Sequence, residues 1–187
     1  MFRSLIACAL STSLCGGCFG KCEQSAIEHL PHHCSQLFLG EGLLEEIHAR
    51  VLEVVRERNL GSLATIKRDG RPQLSNVNYA WYPEEQTIRV STTDDRAKTG
   101  NMRRDPRVSF HVTSGDFWSY VVVDGHAELS EVARDPHDAA VEELVDLYRA
   151  VQGDHPDWDD YRAAMVRDRR LVLRLRAERA YGMVHRG

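Results

Sequence analysis

The order of β-type and helical segments constrains the fold of this chain most strongly. Six β-type runs occur, and most of them are joined by turns rather than by helices. Asp69-Gly70 separates the first two runs, which is typical of a two-residue hairpin turn. Strands joined in this way predict a mainly β (α+β) fold, a largely antiparallel sheet or barrel with flanking helices. The runs are residues 63–67, 73–81, 87–92, 108–112, 118–129 and 171–176.

Apolar residues at helical intervals predict about four helices. The first covers residues 43–59 and is expected to end at Gly61, because glycine commonly follows a helix. Asp135-Pro136 is expected to cap and open the third helix, since Asp accepts from free N–H groups and Pro suits a first turn. The second helix is expected to start near Arg96 and to end at Pro106. The third is expected to end at Gly153, and the fourth to start after Asp157.

Length and charge limit the classes of protein that fit this chain. Its 187 residues are enough for one domain with a full core and too few for two ordinary domains. A formal net charge of -4 gives no electrostatic reason to expect nucleic acid or an anionic membrane as a partner. No apolar run approaches the roughly 18 residues that span a bilayer. The composition therefore predicts a soluble globular domain.

All five cysteines lie within the first 34 residues. The remainder has the composition of an intracellular domain, which predicts a cytoplasmic protein. Three interpretations of the N-terminus stay open. The apolar run at 5–14 suits a short signal peptide, and the C-x2-C-x3-C spacing at 15–22 offers metal ligands. The favoured interpretation, which assigns no metal, is a disordered extension over 1–40, translated from upstream of the true start, before a domain at 41–187.

One strand and the helix after it predict a site for an anion. Residues 91–93 carry three consecutive hydroxyls, and Arg96 and Lys98 occupy the first helical turn. Cations there oppose the helix dipole unless an anion is present. Free N–H groups, hydroxyls and fixed cations together suit a phosphate or a carboxylate. The alternative is a solvated basic helix face that also includes Arg103 and Arg104.

A second segment suits a flat ring. Residues 73–78 carry amide and hydroxyl side chains, which match a heterocycle with carbonyl and N–H groups at its edge. An exposed strand face is the alternative. Trp118 and Tyr120 fit core packing as well as cofactor stacking. No common dinucleotide, P-loop, zincin or hydrolase motif is present, and the nine histidines show no catalytic grouping. Either a bound cofactor supplies the chemistry or the chain carries none.

Four segments carry a family resemblance: LATIKRDGRPQLSNV, VSTTDDRAKTGNMRRDPRVS, WSYVVVDG and DWDDYRAAMVRDRRLVLRL. Over residues 42–183 they resemble the PPOX-class proteins, which belong to the pyridoxamine 5'-phosphate oxidase-like, FMN-binding split barrel superfamily. Within that superfamily they resemble the members that use coenzyme F420, a deazaflavin. The resemblance implies a six-stranded antiparallel split β-barrel. It also implies a homodimer with two cofactor sites in clefts between the subunits.

The resemblance implies roles for fourteen residues. By this resemblance, the strand that borders the deazaflavin ring contains Pro72, Gln73, Leu74 and Ser75, and the strand end beside the phosphate and ribityl chain contains Ser91, Thr92 and Thr93. The helix start that binds the phosphate contains Arg96, Ala97, Lys98 and Asn101. The aromatic edge contributed at the interface contains Trp118, Ser119 and Tyr120.

The implied function is hydride transfer from reduced deazaflavin to a small unsaturated organic substrate, with F420 as the cofactor. No general acid is assigned, since Tyr120, Lys98 or a bound water could supply the proton. Three alternatives stay open. They are an FMN-dependent oxidase or reductase on the same fold, a non-catalytic F420-binding protein, and a structural domain without a cofactor.

Overall fold

The computed structural model describes residues 52–185. Residues 52–56 are helical and belong to the predicted first helix, whose remainder lies outside the described residues. The cysteine-rich segment at 1–40, with all three interpretations of it, also lies outside them. Within 52–185 the strands are β1 (Leu60–Ile66), β2 (Pro72–Asn78), β3 (Ala80–Tyr82), β4 (Thr87–Thr93), β5 (Arg107–Thr113), β6 (Tyr120–Leu129) and β7 (Arg170–Met183), and the helices are α1 (Ala97–Arg104), α2 (Ala139–Gln152) and α3 (Trp158–Arg167).

The strands form one antiparallel sheet in the order β2-β1-β5-β6-β7-β4-β3. β2 and β3 lie at opposite edges, although only Tyr79 separates them along the chain. In a flat seven-stranded sheet the two edge strands would lie six inter-strand spacings of about 4.8 Å apart. One connecting residue cannot span that distance. The sheet therefore curls until its edges approach. The predicted mainly β, antiparallel split-barrel fold with flanking helices is confirmed.

Tyr79 explains why the described chain has seven strands where six are predicted. The expected strand at 73–81 breaks at this residue into β2 and β3. The Tyr79 ring is fully buried and packs edge-on against Phe110, with ring centroids 4.9 Å apart. Its hydroxyl donates to the carbonyl of Val55 at 2.7 Å. Large apolar side chains recur at residues 77, 79 and 81, at the spacing of an unbroken strand, so the sequence pattern alone does not reveal the break.

Two apolar cores stabilise the fold. One fills the barrel and includes Leu63, Tyr79 and Phe110, all fully buried. The other lies between α2, α3 and the outer face of the β3, β4 and β7 region, and includes Leu144 and Val172. This second core fixes α2 and α3 beside the end of β4. None of the helices within 52–185 is long and apolar enough to cross a membrane.

Gly61 has a different role from the predicted one. The described helical residues end at 56, and Gly61 lies within β1. A Cβ atom at this position would approach Cε1 of Phe110 to 2.4 Å. Gly61 therefore leaves room for the Phe110 ring in the barrel core, and the prediction that it stops the helix is wrong.

The first hairpin is confirmed, with a three-residue loop instead of the expected two-residue turn. The Lys67 N–H donates to the carbonyl of Arg71 at 2.9 Å, which leaves residues 68–70 as the loop. Gly70 adopts φ +81°, the left-handed conformation expected where a three-residue loop closes. The Asp69 carboxylate accepts from the Arg71 N–H at 3.1 Å and steadies the turn.

α2 begins three residues later than predicted. Its cap is Asp138, whose carboxylate accepts from the Val141 N–H at 2.8 Å. Asp135 and Pro136 form the preceding turn instead, because the Asp135 N–H donates to Asp138 at 3.1 Å. The other predicted helix boundaries agree with the structure: Arg96, Pro106, Gly153 and Asp157.

Two strands also differ in length from the prediction. β6 begins at Tyr120 rather than at residue 118, because 114–119 form a tight connection after β5. Within it, Ser114 Oγ accepts from the Ser119 N–H at 3.0 Å. β7 continues past the predicted end at 176 to Met183. Its last residues are mostly exposed and lack an apolar alternation, and their pairing with β6 keeps them extended.

Candidate functional site

A cavity of about 660 Å³ lies where β2, the end of β4, the start of α1 and the first residue of β7 meet α2 and α3. One wall is polar and comes from the strands and α1. The opposite wall comes from α2 and α3 and is mostly apolar. Eight of the fourteen predicted site residues line this cavity: Gln73, Ser75, Ser91, Thr92, Thr93, Arg96, Ala97 and Lys98.

Asn101 is buried behind this wall and positions Gln73. Its side-chain amide donates to Oε1 of Gln73 at 2.7 Å and to the hydroxyl of Thr65 at 3.1 Å. Its carbonyl oxygen accepts from Arg104 at 3.0 Å. Because the Oε1 atom of Gln73 is already an acceptor, the group that Gln73 can still offer a ligand in the cavity is its Nε2–H donor.

The predicted residues Pro72 and Leu74 share β2 with this wall but do not line the cavity. Leu74 is 68% exposed. Side chains alternate between the two faces of a strand, so Gln73 and Ser75 share one face while Leu74 points to the other.

The predicted aromatic edge lies elsewhere on the chain. Trp118 is 64% exposed, in the connection between β5 and β6, and the Tyr120 ring lies 5.9 Å from the ring of His111. Ser119 is buried, and its hydroxyl accepts from the His185 N–H at 2.9 Å. Trp118, Ser119 and Tyr120 do not line this cavity.

The start of α1 presents unpaired donors at the cavity. Arg96 is the cap residue, and no side chain caps the helix. Within the described part of the chain, the N–H groups of Ala97, Lys98 and Thr99 donate to no acceptor. The Thr99 hydroxyl donates to the carbonyl of Thr93 at 2.8 Å and holds the helix start against the end of β4. Free N–H groups at the positive end of a helix favour an anion.

Three cations surround this helix start: Arg96, Lys98 and Arg170. Among residues 52–185, none of them forms an ion pair with a carboxylate. Burial lowers the pKa of Lys98, and the charges of Arg96 and Arg170 lower it further. The alternative, a solvated basic helix face, requires exposed cations. Arg103 and Arg104 are exposed, but Lys98 is half-buried. The arrangement is suited to an anionic ligand.

The pKa of Lys98 predicts how ligand affinity depends on pH. Because that pKa is lowered in the free protein, Lys98 loses its charge at a lower pH than an ordinary lysine. We expect the Kd of a phosphate-bearing ligand to increase as the pH rises from 7 to 10. A Lys98→Arg variant keeps its charge and should show a flatter profile, measured by fluorescence titration. Equal slopes in both proteins would contradict this role of Lys98.

The apolar wall includes Leu147, Val151 and Met165, together with the rings of Tyr148 and Tyr161. The Tyr161 hydroxyl donates to the carbonyl of Leu144 at 3.0 Å, and burial raises the pKa of Tyr161 to about 12. The ring therefore stays neutral at physiological pH. The helical pattern of α2 and α3 predicts their buried faces, but it contains no signal that part of those faces borders a ligand cavity.

A smaller cavity of about 380 Å³ lies on the outer face of β1, β5 and β6. Ser109 donates to Asp124 at 2.6 Å, and the His126 ring lies 2.7 Å from the carboxylate of Glu178. These polar groups already pair with one another. Within 52–185, no group of three or more His, Cys, Asp or Glu side chains is arranged to hold a metal ion.

Fold and cavity together define a split-barrel domain with a cavity whose polar wall carries cations and the free N–H groups of a helix start. Residues 47–183 match the pyridoxamine 5'-phosphate oxidase family, and the chain belongs to that family.

Solved structures show the same fold. The conserved hypothetical protein Rv2991 from Mycobacterium tuberculosis is 26% identical, with a TM-score of 0.57 over 74% of this chain and 89% of that chain. A protein named F420 reductase is 24% identical, with a TM-score of 0.53 over 70% of this chain and 94% of that chain. A FAD-binding protein from Mesorhizobium loti is 19% identical, with a TM-score of 0.52 over 72% and 90% of the two chains.

Proposed function

We propose that this protein is an F420H2-dependent oxidoreductase that reduces a small unsaturated organic substrate. The observation that carries the proposal is the meeting, in one cavity, of a phosphate-type site at the start of α1 with the polar face of β2. A ligand with a phosphate joined by a short chain to a flat heterocycle matches both features.

The residues present fit such a cofactor. Arg96, Lys98 and the free N–H groups of α1 would hold its phosphate, since charge-assisted bonds to phosphate are among the strongest that proteins make. Ser91, at the end of β4, offers a hydroxyl donor next to that site, whereas the Thr93 hydroxyl already donates to the Asp95 carboxylate. Gln73 and Ser75 offer a side-chain N–H and a hydroxyl to the edge of a ring.

Reduced deazaflavin supplies a hydride to an electrophilic C=C, C=N or C=O bond. The contribution of the chain is binding, orientation and electrostatics. Asn101 fixes the amide of Gln73, so the ring edge meets an oriented donor. The wall formed by Leu147, Val151 and Met165 is apolar and faces these polar groups across the cavity.

Two observations from relatives bear on the choice of cofactor. A solved protein named F420 reductase shares the fold, and the sequence resemblance in the four segments is to members of the superfamily that use F420. The family is that of pyridoxamine 5'-phosphate oxidase, and a FAD-binding protein also shares the fold, so an FMN-dependent oxidase or reductase is the second candidate. FMN would use the same phosphate site.

A direct comparison of cofactors tests the proposal. Purified protein is titrated with F420 and with FMN by fluorescence, and then assayed for oxidation of F420H2 and of reduced FMN with a panel of quinones, enones and tetrapyrroles. We expect tighter binding of F420 and turnover with F420H2. Turnover with reduced FMN alone would select the second candidate. Tight F420 binding without turnover on any substrate would indicate a non-catalytic binding protein.

We also propose that two copies of the chain associate through the end of the β5–β6 hairpin. Phe117 is 77% exposed and Trp118 is 64% exposed, and Met183 and Tyr181 on neighbouring β7 are 50% and 45% exposed. Four of the six large apolar side chains that are exposed among the described residues therefore lie at this end of the sheet. A dimer built there would bury Trp118 and bring it towards the partner.

Sedimentation of a Trp118→Ser variant tests this association. We expect the wild-type protein to sediment as a dimer and Trp118→Ser to shift towards monomer, because the variant removes the largest exposed ring. Leu74→Ser is the matched control, since Leu74 is equally exposed but lies on β2. A monomeric wild-type protein would contradict the proposal.

A further inference from the structure

Within the described residues, the wall of the large cavity that α2 and α3 form carries no charged side chain. The charged residues that line the cavity all belong to the opposite wall, from the strands and α1: Arg96, Lys98 and Arg170. The α2–α3 wall consists of three apolar side chains, two tyrosine rings and the exposed Gln152. A charged group bound against this wall would leave water without gaining a counter-charge, which is unfavourable. The wall therefore suits an uncharged, apolar part of a ligand.

Tyr148 offers this wall a hydroxyl that the chain does not use. The hydroxyl of its neighbour Tyr161 donates to the carbonyl of Leu144 at 3.0 Å and has no proton left for a ligand. The Tyr148 hydroxyl forms no hydrogen bond with another residue of the range 52–185, and it is not closed off from solvent. A molecule in the cavity can therefore accept a hydrogen bond from it.

Three aromatic neighbours hold the Tyr148 ring in place. Its centroid lies 4.9 Å from that of Tyr161, 5.2 Å from that of His155 and 5.8 Å from that of Trp158, and all three contacts are edge-on. The His155 ring is itself fixed, because its Nδ1 atom accepts from the Asp157 N–H at 3.0 Å. A donor on a ring held in this way loses little conformational freedom when a ligand binds, which favours binding.

We propose that the α2–α3 wall binds the substrate, that this substrate is an uncharged α,β-unsaturated ketone (an enone), and that the Tyr148 hydroxyl donates to its carbonyl oxygen. The inference rests on the proposed function, because it concerns the substrate of that reaction. A hydride adds to the β-carbon, the electron pair of the C=C bond shifts, and negative charge develops on the carbonyl oxygen. The hydrogen bond from Tyr148 stabilises that charge, and water then supplies the proton to the α-carbon. A substrate with its own phosphate, such as pyridoxamine 5'-phosphate, would find no counter-charge on this wall.

Reduction of 2-cyclohexen-1-one by F420H2 tests the role of the hydroxyl. Tyr148→Phe keeps the ring and its packing and removes the donor. We expect kcat/KM to fall about tenfold or more, because the lost bond acts on the developing charge, while the Kd of F420 changes less than about twofold. Tyr181→Phe is the matched control, since it removes a hydroxyl from an exposed ring on β7 that does not line the cavity. An unchanged kcat/KM in Tyr148→Phe would overturn the inference.

A matched pair of substrates tests the charge preference of the wall. The methyl ester of 4-oxocyclohex-2-ene-1-carboxylate should be reduced about tenfold more efficiently than the free carboxylate. Gln152→Arg adds a cation to the wall at an exposed position and should narrow that difference. Equal or better reduction of the carboxylate by wild type would overturn the inference. So would failure to reduce any enone by a protein that reduces other compounds with F420H2.

A fluorescent ketone tests the inference without any cofactor. The dye 6-propionyl-2-(dimethylamino)naphthalene is uncharged, and its emission moves to longer wavelength when its carbonyl accepts a hydrogen bond. If neither F420H2 nor reduced FMN is oxidised with any substrate, the proposed function fails, and this dye still decides on Tyr148. Emission at shorter wavelength from Tyr148→Phe than from wild type and Tyr181→Phe would support the inference. Equal emission from the three proteins, or no binding to wild type, would refute it.

Discussion

Replacement of Lys98 by alanine is expected to weaken F420 binding about 10- to 150-fold, because a charge-assisted hydrogen bond to phosphate contributes about 1.5–3 kcal/mol. Lys98 is half-buried beside the free N–H groups of α1, and no described carboxylate pairs with it. Its charge is therefore available to the ligand. Fluorescence titration of the purified variant measures the change in Kd.

The matched control is Lys67→Ala. Lys67 is the only other lysine within the described residues, and it lies at the β1–β2 hairpin, where it pairs with Asp69 at 3.5 Å. Lys67→Ala lowers the net charge by the same amount and should leave the Kd within about twofold, since exposed pairs contribute about 0–1 kcal/mol. Equal weakening by both variants would mean that Lys98 acts only through overall charge.

Replacement of Gly125 by alanine is expected to destabilise the fold by about 2–3 kcal/mol, which lowers Tm by about 4–12 °C in a domain of this size. Gly125 is buried in β6, at the register shift between β6 and β7. An added Cβ would lie 2.2 Å from the backbone oxygen of Arg176 and 2.8 Å from Cδ1 of Leu175. The backbone oxygen cannot move aside without breaking the pairing of the two strands.

Gly100→Ala is the control for this prediction. Gly100 lies in α1, its φ is not positive, and a Cβ added there meets nothing within 4 Å. Alanine is favoured over glycine in a helix interior by about 0.5–1 kcal/mol, so this variant should be slightly more stable than wild type. Calorimetry measures both transitions. A Gly125→Ala protein as stable as wild type would contradict the packing described for the β6–β7 bulge.

Local signals predicted much of this fold. Asp69-Gly70 marks the first hairpin, Pro106 follows the end of α1, and Gly153 follows the end of α2, because each imposes a backbone conformation by itself. The break at Tyr79 is different. It depends on closure of the sheet, which brings β2 and β3 to opposite edges, and no feature of the residues near Tyr79 encodes that closure.

One part of the candidate site could likewise be predicted from local sequence signals, and another part could not. Lys98 and its neighbours are readable from sequence because hydroxyls, cations and a helix start follow one another along the chain. Arg170 and the apolar wall were missed, because they reach the cavity only through the pairing of β7 with β4 and the packing of α3. Asp138 rather than Asp135 caps α2, with its carboxylate accepting from the Val141 N–H. Both residues suit a cap by type, so the local sequence does not choose between them.

A crystal structure of the protein with F420 is the most direct test of whether the cavity between β2, β4 and α1 binds the phosphate of a flavin or deazaflavin. We expect the phosphate within hydrogen-bonding distance of Lys98 and of the first N–H groups of α1, with the ring along Gln73 and Ser75. A cofactor bound elsewhere, with Arg96 and Lys98 free in solvent, would contradict it.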